Sequence, residues 1–265
     1  MSSFSANWLA LREPLDHAAR NNQVLTEVAN HFASRKHFQI CDIGCGTGST
    51  IRAIRTILKM PINWHLVDND AVLLGLVSKT VSDNDTVRTS NADLSLSAEI
   101  LFEPPPDLIT TSAFFDLVSE AWLSSLIDTA SHRGTPIYAA LTYDGRSECK
   151  PHHVTDKKIQ SAFNRHQRTN KGFGPALGPE AALAFISLLK GADYTVSVGT
   201  SDWLAGPDHA DFQRELLTGW HEAACEIEPE NATEFCQWFE QRMKLIETGE
   251  LNLTVGHVDV FAWKA

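Results

Sequence analysis

The 265-residue sequence has few cysteines, no long hydrophobic run and fewer basic than acidic residues. Its cysteines are odd in number and scattered, which excludes a disulfide framework: Cys41, Cys45, Cys149, Cys225 and Cys236. None combines with histidine at zinc-finger spacing, so we expect no metal site. Without an apolar stretch long enough for a signal peptide or a membrane span, we expect a cytoplasmic protein that does not enter membranes.

The charge balance limits the classes of partner. With 22 Lys and Arg against 33 Asp and Glu, the formal net charge is −11. A nucleic-acid-binding protein usually presents a basic face. Only the segment 157–171 is locally basic, which argues against DNA and makes RNA an unfavourable partner. A cationic or neutral small ligand fits the overall field better.

Apolar segments of strand length alternate with segments of helical period. Strands are predicted at 37–44, 62–68, 86–93, 104–115, 135–143, 193–203 and 251–265. Helices are predicted within 7–35, where Pro14 opens the main helix, and at 49–60, 71–81, 119–133, 181–192, 209–225 and 230–247. This alternation predicts βαβ units and a parallel sheet. The polar, glycine-rich segment 144–180 interrupts it and is interpreted as a cap or lid.

The stretch CDIGCGTGST, residues 41–50, lies between the first predicted strand and a helix. Such a loop aims backbone N–H groups and the positive end of a helix dipole at a ligand. A dinucleotide fingerprint requires a third glycine at position 49, where this chain has Ser49. The glycines instead follow the pattern D-x-G-x-G-x-G, from Asp42 through Gly44 and Gly46 to Gly48.

This pattern resembles motif I of the class I S-adenosylmethionine-dependent methyltransferases. The stretches SAFFDLVSEAWL, HQRTNKGFGPALGP and SDW are similar to a bacterial group within that class. The resemblance implies an α/β, Rossmann-like, doubly wound sheet, mostly parallel and seven-stranded, with the last strand antiparallel. It also implies an N-terminal helical segment, 1–36, over the cofactor, and a methyltransferase domain, 37–265, with cap insertions at about 145–179 and 205–248.

The resemblance further implies a cofactor, S-adenosyl-L-methionine, and its product, S-adenosyl-L-homocysteine. Because this cofactor carries a sulfonium and an ammonium, an acid beside the loop suits it. Asp68 would accept hydrogen bonds from the ribose hydroxyls, and Asp93 would meet the adenine amino group. The full expected set is Asp42, Gly44, Cys45, Gly46, Gly48, Asp68, Asn69, Ala92, Asp93, Leu94, the active-site floor Ser112, and Arg12 or Arg20 at the methionine carboxylate.

Four residues are candidates for the catalytic chemistry. Asp116 and Tyr143 follow the fourth and fifth predicted strands, where a side chain could orient the acceptor or take its proton. His153 and His166 lie in the 144–180 insertion and are candidate bases. Each also has an ordinary structural interpretation: Asp116 as a helix-start acid, Tyr143 as a core aromatic, and the histidines as part of a solvated helix face.

The sequence therefore predicts S-adenosylmethionine-dependent methyl transfer to O or N of a small molecule. An acidic group on the acceptor would explain the basic residues Arg165, Arg168 and Lys171. Either a monomer or a homodimer is compatible with the sequence. Three alternatives stay open at this point: an NAD-type oxidoreductase, a methyltransferase acting on protein or RNA, and a non-catalytic cofactor-binding protein.

Overall fold

The computed structural model describes residues 4–77, 84–96 and 98–264. Its α-helices are α1 (Ala6–Ala19), α2 (Asn22–Phe32), α3 (Ser49–Ile54), α4 (Ala71–Val77), α5 (Glu120–Arg133), α6 (Asp156–Gln167), α7 (Ala181–Gly191), α8 (Ala210–Ile227) and α9 (Ala232–Glu247). Its strands are β1 (Phe38–Ile43), β2 (Ile62–Asp68), β3 (Thr86–Asn91), β4 (Leu108–Ser112), β5 (Ile137–Lys150), β6 (Thr195–Thr200), β7 (Trp203–Ala205) and β8 (Asn252–Trp263).

The strands form one sheet in the order β3-β2-β1-β4-β5-β8-β6, with β7 paired to β8. Strands β1 to β5 are parallel to one another. Strand β8 runs antiparallel to β5, β6 and β7. The predicted mostly parallel sheet with an antiparallel last strand is thus confirmed. Among the described residues the sheet has eight strands rather than seven, because the predicted strand 193–203 divides into β6 and β7.

Helices cover both faces of the sheet. One apolar cluster includes Val28 of α2 and Ile51 of α3, and the other includes Leu126 of α5 and Phe185 of α7. These four side chains are fully buried, as expected for parallel strands covered on both sides. The doubly wound architecture brings the carboxyl ends of β1 to β4 to one edge, where the first strand-to-helix loop also lies.

The N-terminal helix does not begin where the sequence suggested. Pro14 was predicted to open it, but α1 begins at Ala6 and contains Pro14 in its interior. The side chain of Ser5 caps the helix by accepting a hydrogen bond from Trp8 N at 3.0 Å. Burial of Leu15 beyond the proline offsets the backbone hydrogen bond that the proline removes.

The structure also corrects the predicted end of the fifth strand. Residues 144–150 were predicted to belong to the insertion, but they continue β5 and pair with the start of β8. The sequence does not reveal this strand pairing, because Cys149 is the only buried residue among residues 144–150. Ion pairs from Arg146 to Asp144 and Asp202 stabilise this outer ribbon. Helix α3 ends at Ile54, well before the predicted residue 60. Residues 78–81 of the predicted helix 71–81 lie outside the described residues.

Candidate active site

The loop after β1 is shaped by three glycines with positive φ: Gly44 at 60°, Gly46 at 51° and Gly48 at 83°. A side chain at Gly44 would be both strained and obstructed, because its Cβ would lie 2.7 Å from the ring of Phe114. The backbone N–H of Gly44 donates to Val67 O at 2.9 Å, which fastens the loop to β2. The glycines therefore allow the loop to lie close against the ends of two neighbouring strands.

Asp68, at the end of β2, is tied to this loop. Its Oδ2 accepts from the backbone N–H of Gly46 at 2.8 Å, and its Oδ1 accepts from that of Asp70 at 3.0 Å. Partial burial raises the pKa of the Asp68 carboxyl, while these N–H groups act in the opposite direction. The carboxylate is thus held rigidly at the sheet edge with lone pairs left for a ligand.

A cavity of about 390 Å³, here named the central cavity, opens at this edge. It lies within the size range of small-molecule sites. Four strand ends, α1 and the loop 170–175 contribute its walls. The lining residues are Phe4, Leu9, Arg12, Gly44, Gly46, Asp68, Asn69, Asp70, Ala71, Leu73, Ala92, Leu94, Ser112, Ala113, Phe114, Leu117, Lys171 and Phe173.

Most residues of the predicted cofactor set meet in this cavity. They arrive from separate points of the chain: Gly44, Gly46, Asp68, Asn69, Ala92, Leu94, Ser112 and Arg12. The aromatic ring of Trp122 fixes one wall, since its Nε1–H donates to Leu94 O at 2.7 Å. This convergence places glycine loop, carboxylate and apolar wall around one volume. The binding roles of the individual residues stay predictions.

Five members of the set lie outside the lining: Asp42, Cys45, Gly48, Asp93 and Arg20. Asp42 is 1% exposed, and its Oδ1 accepts from the Thr110 hydroxyl at 2.7 Å. Burial raises the pKa of Asp42 to about 7. Its position indicates that it supports the loop from behind.

Asp93 is engaged in a local turn. Its Oδ1 accepts from the backbone N–H of Ser95 at 2.9 Å and from the Ser95 hydroxyl at 2.6 Å. These two hydrogen bonds lower the pKa of the Asp93 carboxyl. The carboxylate therefore has a local hydrogen-bonding function at the end of the third strand, next to Ala92 and Leu94 of the cavity wall.

The two N-terminal arginines occupy different environments. Arg12 lines the central cavity, and its Nε lies 3.1 Å from Asp16 Oδ2. Arg20 is only 4% exposed and donates to the hydroxyl groups of Tyr138 and Ser112. Of the two, Arg12 is the one positioned to meet a ligand directly.

Asp116 lies just beyond β4, in a single turn, Phe115–Leu117. Burial raises the pKa of Asp116 to about 6, and the charges of Arg12 and Lys171 act in the opposite direction. Its Oδ1 is buried and has no hydrogen-bond partner among the residues that the structure describes. Asp116 is not among the residues that line the central cavity, although Phe114 and Leu117 are. A carboxyl group without a partner can accept a hydrogen bond or a proton from a ligand that reaches it.

The other three candidate catalytic residues are Tyr143, His153 and His166, and none of them is in the lining of the central cavity. Tyr143 is 6% exposed, and its hydroxyl donates to Asn164 Oδ1 at 2.7 Å. Burial raises the pKa of that phenol. His153 accepts from the backbone N–H of Thr155 at the start of α6. Neither side chain lines the central cavity.

His166 also stands behind the cavity wall. Its Nδ1 lies 3.3 Å from Nζ of Lys171, which does line the cavity, and its Nε2 lies 3.4 Å from Glu226 Oε2. Burial lowers the pKa of His166, and the Lys171 ammonium lowers it further. The Glu226 carboxylate acts in the opposite direction. In its neutral form the imidazole can accept a hydrogen bond from the lysine.

Sequence reasoning missed several lining residues. Ala113 and Leu117 follow Ser112 closely, so their place beyond a strand end was a usable signal. Leu9 had no such signal, because an apolar residue on an amphipathic helix usually packs in the core. The large aromatic residues Trp203 and Trp220 are 5% and 3% exposed and lie outside the lining.

No helix among the described residues has the length and apolar character needed to cross a membrane. Within the same residues, no group of three or more His, Cys, Asp or Glu side chains could hold a metal ion.

Comparison with solved structures shows that the fold is similar to that of two cyclopropane synthases and of a cyclopropane-synthase-like protein. The cyclopropane synthase MmaA2 from Mycobacterium tuberculosis is similar with a TM-score of 0.55 and 13% identity, over 98% of this chain and 95% of that one. A cyclopropane-fatty-acyl-phospholipid synthase-like protein from Lactobacillus casei gives 0.54 and 12%, over 98% and 94%.

A third similar structure is the mycolic acid cyclopropane synthase CmaA1 complexed with SAH and CTAB. It has a TM-score of 0.50 and 15% identity, over 98% of this chain and 94% of that one. At such identities the likeness concerns the fold. The sequence matches no protein-family model and no curated protein.

Proposed function

We propose that the protein transfers a methyl group from S-adenosylmethionine to O or N of a small-molecule acceptor. The observation that carries this proposal is the meeting of the glycine loop, Asp68, and the ends of the third and fourth strands around one cavity. The acceptor would bind beyond the loop, near Phe114 and Lys171. A cytoplasmic location, and a monomer or homodimer, belong to the same proposal.

The residues present fit this cofactor better than a dinucleotide. Ser49 stands where the dinucleotide fingerprint has its third glycine, and it begins the short helix α3. Two carboxylates, Asp68 and Asp70, line the cavity, and that of Asp68 suits a vicinal diol. The fold neighbour complexed with SAH supports the same choice.

The proposed contacts follow from the lining. Asp68 would accept hydrogen bonds from both ribose hydroxyls, Ala92 and Leu94 would flank the adenine, and Arg12 would pair with the methionine carboxylate. When bound, the cofactor would supply a methyl group on a sulfonium centre. The chain's task is then to hold an acceptor in line with that methyl group and to exclude water.

Asp116 is the proposed base. Its unpartnered Oδ1 would take the proton that an acceptor hydroxyl or amine loses as the new methyl bond forms. With a pKa of about 6, the group is mostly ionised at neutral pH yet basic enough to accept a proton. An acidic group on the acceptor would meet Lys171, the member of the basic segment 157–171 that lines the cavity.

A methyltransferase acting on protein or RNA is disfavoured by the site itself. Phe173 of the loop 170–175 and Leu9 of α1 both border the central cavity, so the approach to it is bounded on two sides. A macromolecular substrate needs a broad, open groove. The net charge of −11 adds a further argument against RNA.

Calorimetric titration with S-adenosylhomocysteine, with NAD(H) in parallel, tests the proposal. We expect saturable binding of the first ligand alone, weakened at least about tenfold by Asp68→Ala. Asp211→Ala, which removes an exposed carboxylate on α8, serves as the matched control and should bind as the wild type does. Binding of NAD(H) instead, or equal binding by both variants, would refute the cofactor assignment.

A turnover assay distinguishes an enzyme from a non-catalytic cofactor-binding protein. The assay supplies S-adenosylmethionine and a panel of small hydroxy and amino acids as acceptors, and we expect S-adenosylhomocysteine to accumulate. Asp116→Asn should slow the formation of S-adenosylhomocysteine at least about a hundredfold. Binding of the cofactor without any acceptor-dependent release would favour the non-catalytic alternative.

A further inference from the structure

Lys171 differs from Arg12, the other basic residue of the cavity lining, and from Arg165 and Arg168 of its own basic segment, in having no ion-pair partner among the described residues. Arg165 pairs with Glu228, Arg168 with Glu180, and Arg12 with Asp16. Among the described residues, no carboxylate lies within 4.0 Å of the Lys171 ammonium. Lys171 lines the central cavity, so its ammonium is available to an anion bound there.

The loop 170–175 holds this lysine in place from one side. Oδ1 of Asn170 accepts from the backbone N–H groups of Gly172 and Gly174, at 2.8 and 3.1 Å. The ring of Phe173 packs edge-to-face on Phe114, at 5.7 Å between centroids. It makes a second such contact with Trp122 at 5.3 Å. The backbone on both sides of Lys171 is thus held by contacts within the protein.

A short polar chain supports the lysine from behind. His166 Nδ1 accepts from the Lys171 ammonium at 3.3 Å, and its Nε2–H can donate to Glu226 at 3.4 Å. This arrangement requires the neutral imidazole with its proton on Nε2. His166, considered from the sequence as a base, is here a positioning residue that directs the ammonium.

The rest of the acceptor region is apolar apart from one acid. Phe114, Leu117 and Phe173 line the volume beside Lys171, and Asp116 lies in the turn that contains Leu117. Burial lowers the pKa of Lys171, whereas the charges of Glu226 and Asp116 favour its protonated form. An ammonium in such surroundings would be stabilised by a carboxylate ligand.

We propose that Lys171 binds the carboxylate of the methyl acceptor, and that the acceptor is a small aromatic or aliphatic acid whose apolar body packs on Phe114, Leu117 and Phe173. Its hydroxyl or amine would donate to Asp116. This inference rests on the proposed methyltransferase function, because it places the acceptor beside the cofactor. It names the class of acceptor that the fold alone does not.

The test uses the full chain saturated with S-adenosylhomocysteine and titrated with benzoate and hexanoate. Benzamide and hexanamide serve as neutral probes of the same shape. We expect each acid to bind at least about tenfold more tightly than its amide, and Lys171→Met to remove that difference. Lys171→Arg should restore part of it. Lys157→Met, which removes an exposed lysine on α6, is the matched control and should leave it intact.

Three results would overturn the proposal. One is equal binding of the acids to wild type and Lys171→Met, or no binding of either acid to the cofactor-loaded protein. Another is a loss of S-adenosylhomocysteine affinity in Lys171→Met, which would assign the lysine to the cofactor's own carboxylate. The third is failure of the wild type to bind S-adenosylhomocysteine at all, which would refute the proposed function itself. Binding of S-adenosylhomocysteine is therefore measured before any acid is added.

The role of His166 has its own readout. As pH falls, protonation of the His166 imidazole places a second cation beside Lys171. The acids that act on Lys171 are Glu226 and Asp116, and Arg12 in turn acts on Asp116. His166→Asn keeps an acceptor near the Nδ1 position but does not titrate. We therefore expect benzoate affinity to change between pH 5 and 7 in the wild type beyond any change in His166→Asn. Identical pH profiles would refute the positioning role.

Discussion

Arg20 donates from Nη2 to the Ser112 hydroxyl over 3.0 Å, which joins the end of α1 to the end of β4 at the cavity floor. The same guanidinium donates to the Tyr138 hydroxyl at 3.2 Å, and that hydroxyl donates to Asp259 Oδ2 at 3.2 Å. All of these groups except Ser112 are buried. The N-terminal segment is therefore fixed to the sheet by a buried arginine rather than by apolar packing alone.

Replacing Arg20 should destabilise the whole fold. Arg20→Met leaves the buried Asp259 without its nearby cation, and we expect a loss of about 3–5 kcal/mol in the free energy of unfolding. Urea denaturation measures it, with Arg35→Met, an exposed arginine, as the control. Adding Asp259→Asn should recover part of the loss. A change below about 1 kcal/mol in the single variant would contradict the network.

The two N-terminal arginines should be separable by ligand chemistry. If Arg12 holds the methionine carboxylate, Arg12→Met combined with Asp16→Asn should weaken S-adenosylhomocysteine binding by about tenfold or more. The second change avoids leaving the buried Asp16 unpaired. Binding of 5′-methylthioadenosine, which lacks the carboxylate, should change little. Equal losses for both ligands would place Arg12 elsewhere.

Gly44→Ala should prevent the glycine loop from binding its ligand. The added Cβ would lie 2.7 Å from the Phe114 ring, at a backbone φ of 60°. We expect a destabilisation of about 1–3 kcal/mol and a loss of S-adenosylhomocysteine binding in calorimetry. In contrast, Gly75→Ala on the exposed side of α4 meets nothing within 4 Å and should be neutral or stabilising. Normal ligand binding by Gly44→Ala would show that the loop does not touch the ligand.

Asp42 predicts a specific pH dependence of stability. Its folded pKa of about 7 is raised above the unfolded value of 3.8 by burial, so ionisation favours unfolding as pH rises through that window. Asp42→Asn should therefore gain about 2–4 kcal/mol relative to wild type at pH 8, and the difference should vanish near pH 4. Urea unfolding of both proteins across this range measures it. A constant difference at all pH values would contradict the assignment.

The strand ends could be predicted from sequence because parallel strands present short-range signals: an apolar run followed by glycine or an acid. The resemblance to the methyltransferases then implied that Gly44, Asp68 and Ser112, at three of these strand ends, belong to one site, and all three line the cavity. Asp93 belonged to the same pattern, yet its carboxylate is engaged by Ser95, two residues away. A local turn competes with a ligand for such an acid, and sequence spacing does not reveal which prevails.

Long-range contacts could not be predicted in the same way. The pairing of residues 144–150 with β8 depends on chain segments about a hundred residues apart and on ion pairs of Arg146, not on apolar alternation. The separation of Lys171 from Arg165 and Arg168 likewise requires knowing where each acidic partner lies. The sequence indicated a basic segment, and only the folded chain distinguishes its ion-paired members from the one that faces the cavity.

A crystal structure of the protein grown with S-adenosylhomocysteine tests the central claim most directly. We expect the ligand to lie in the central cavity. Both ribose hydroxyls should be at hydrogen-bond distance, about 2.5–3.2 Å, from the Asp68 carboxylate. The adenine should be flanked by Ala92 and Leu94, and the sulfur should face Phe114. A ligand bound elsewhere, or one whose ribose does not contact Asp68, would contradict it.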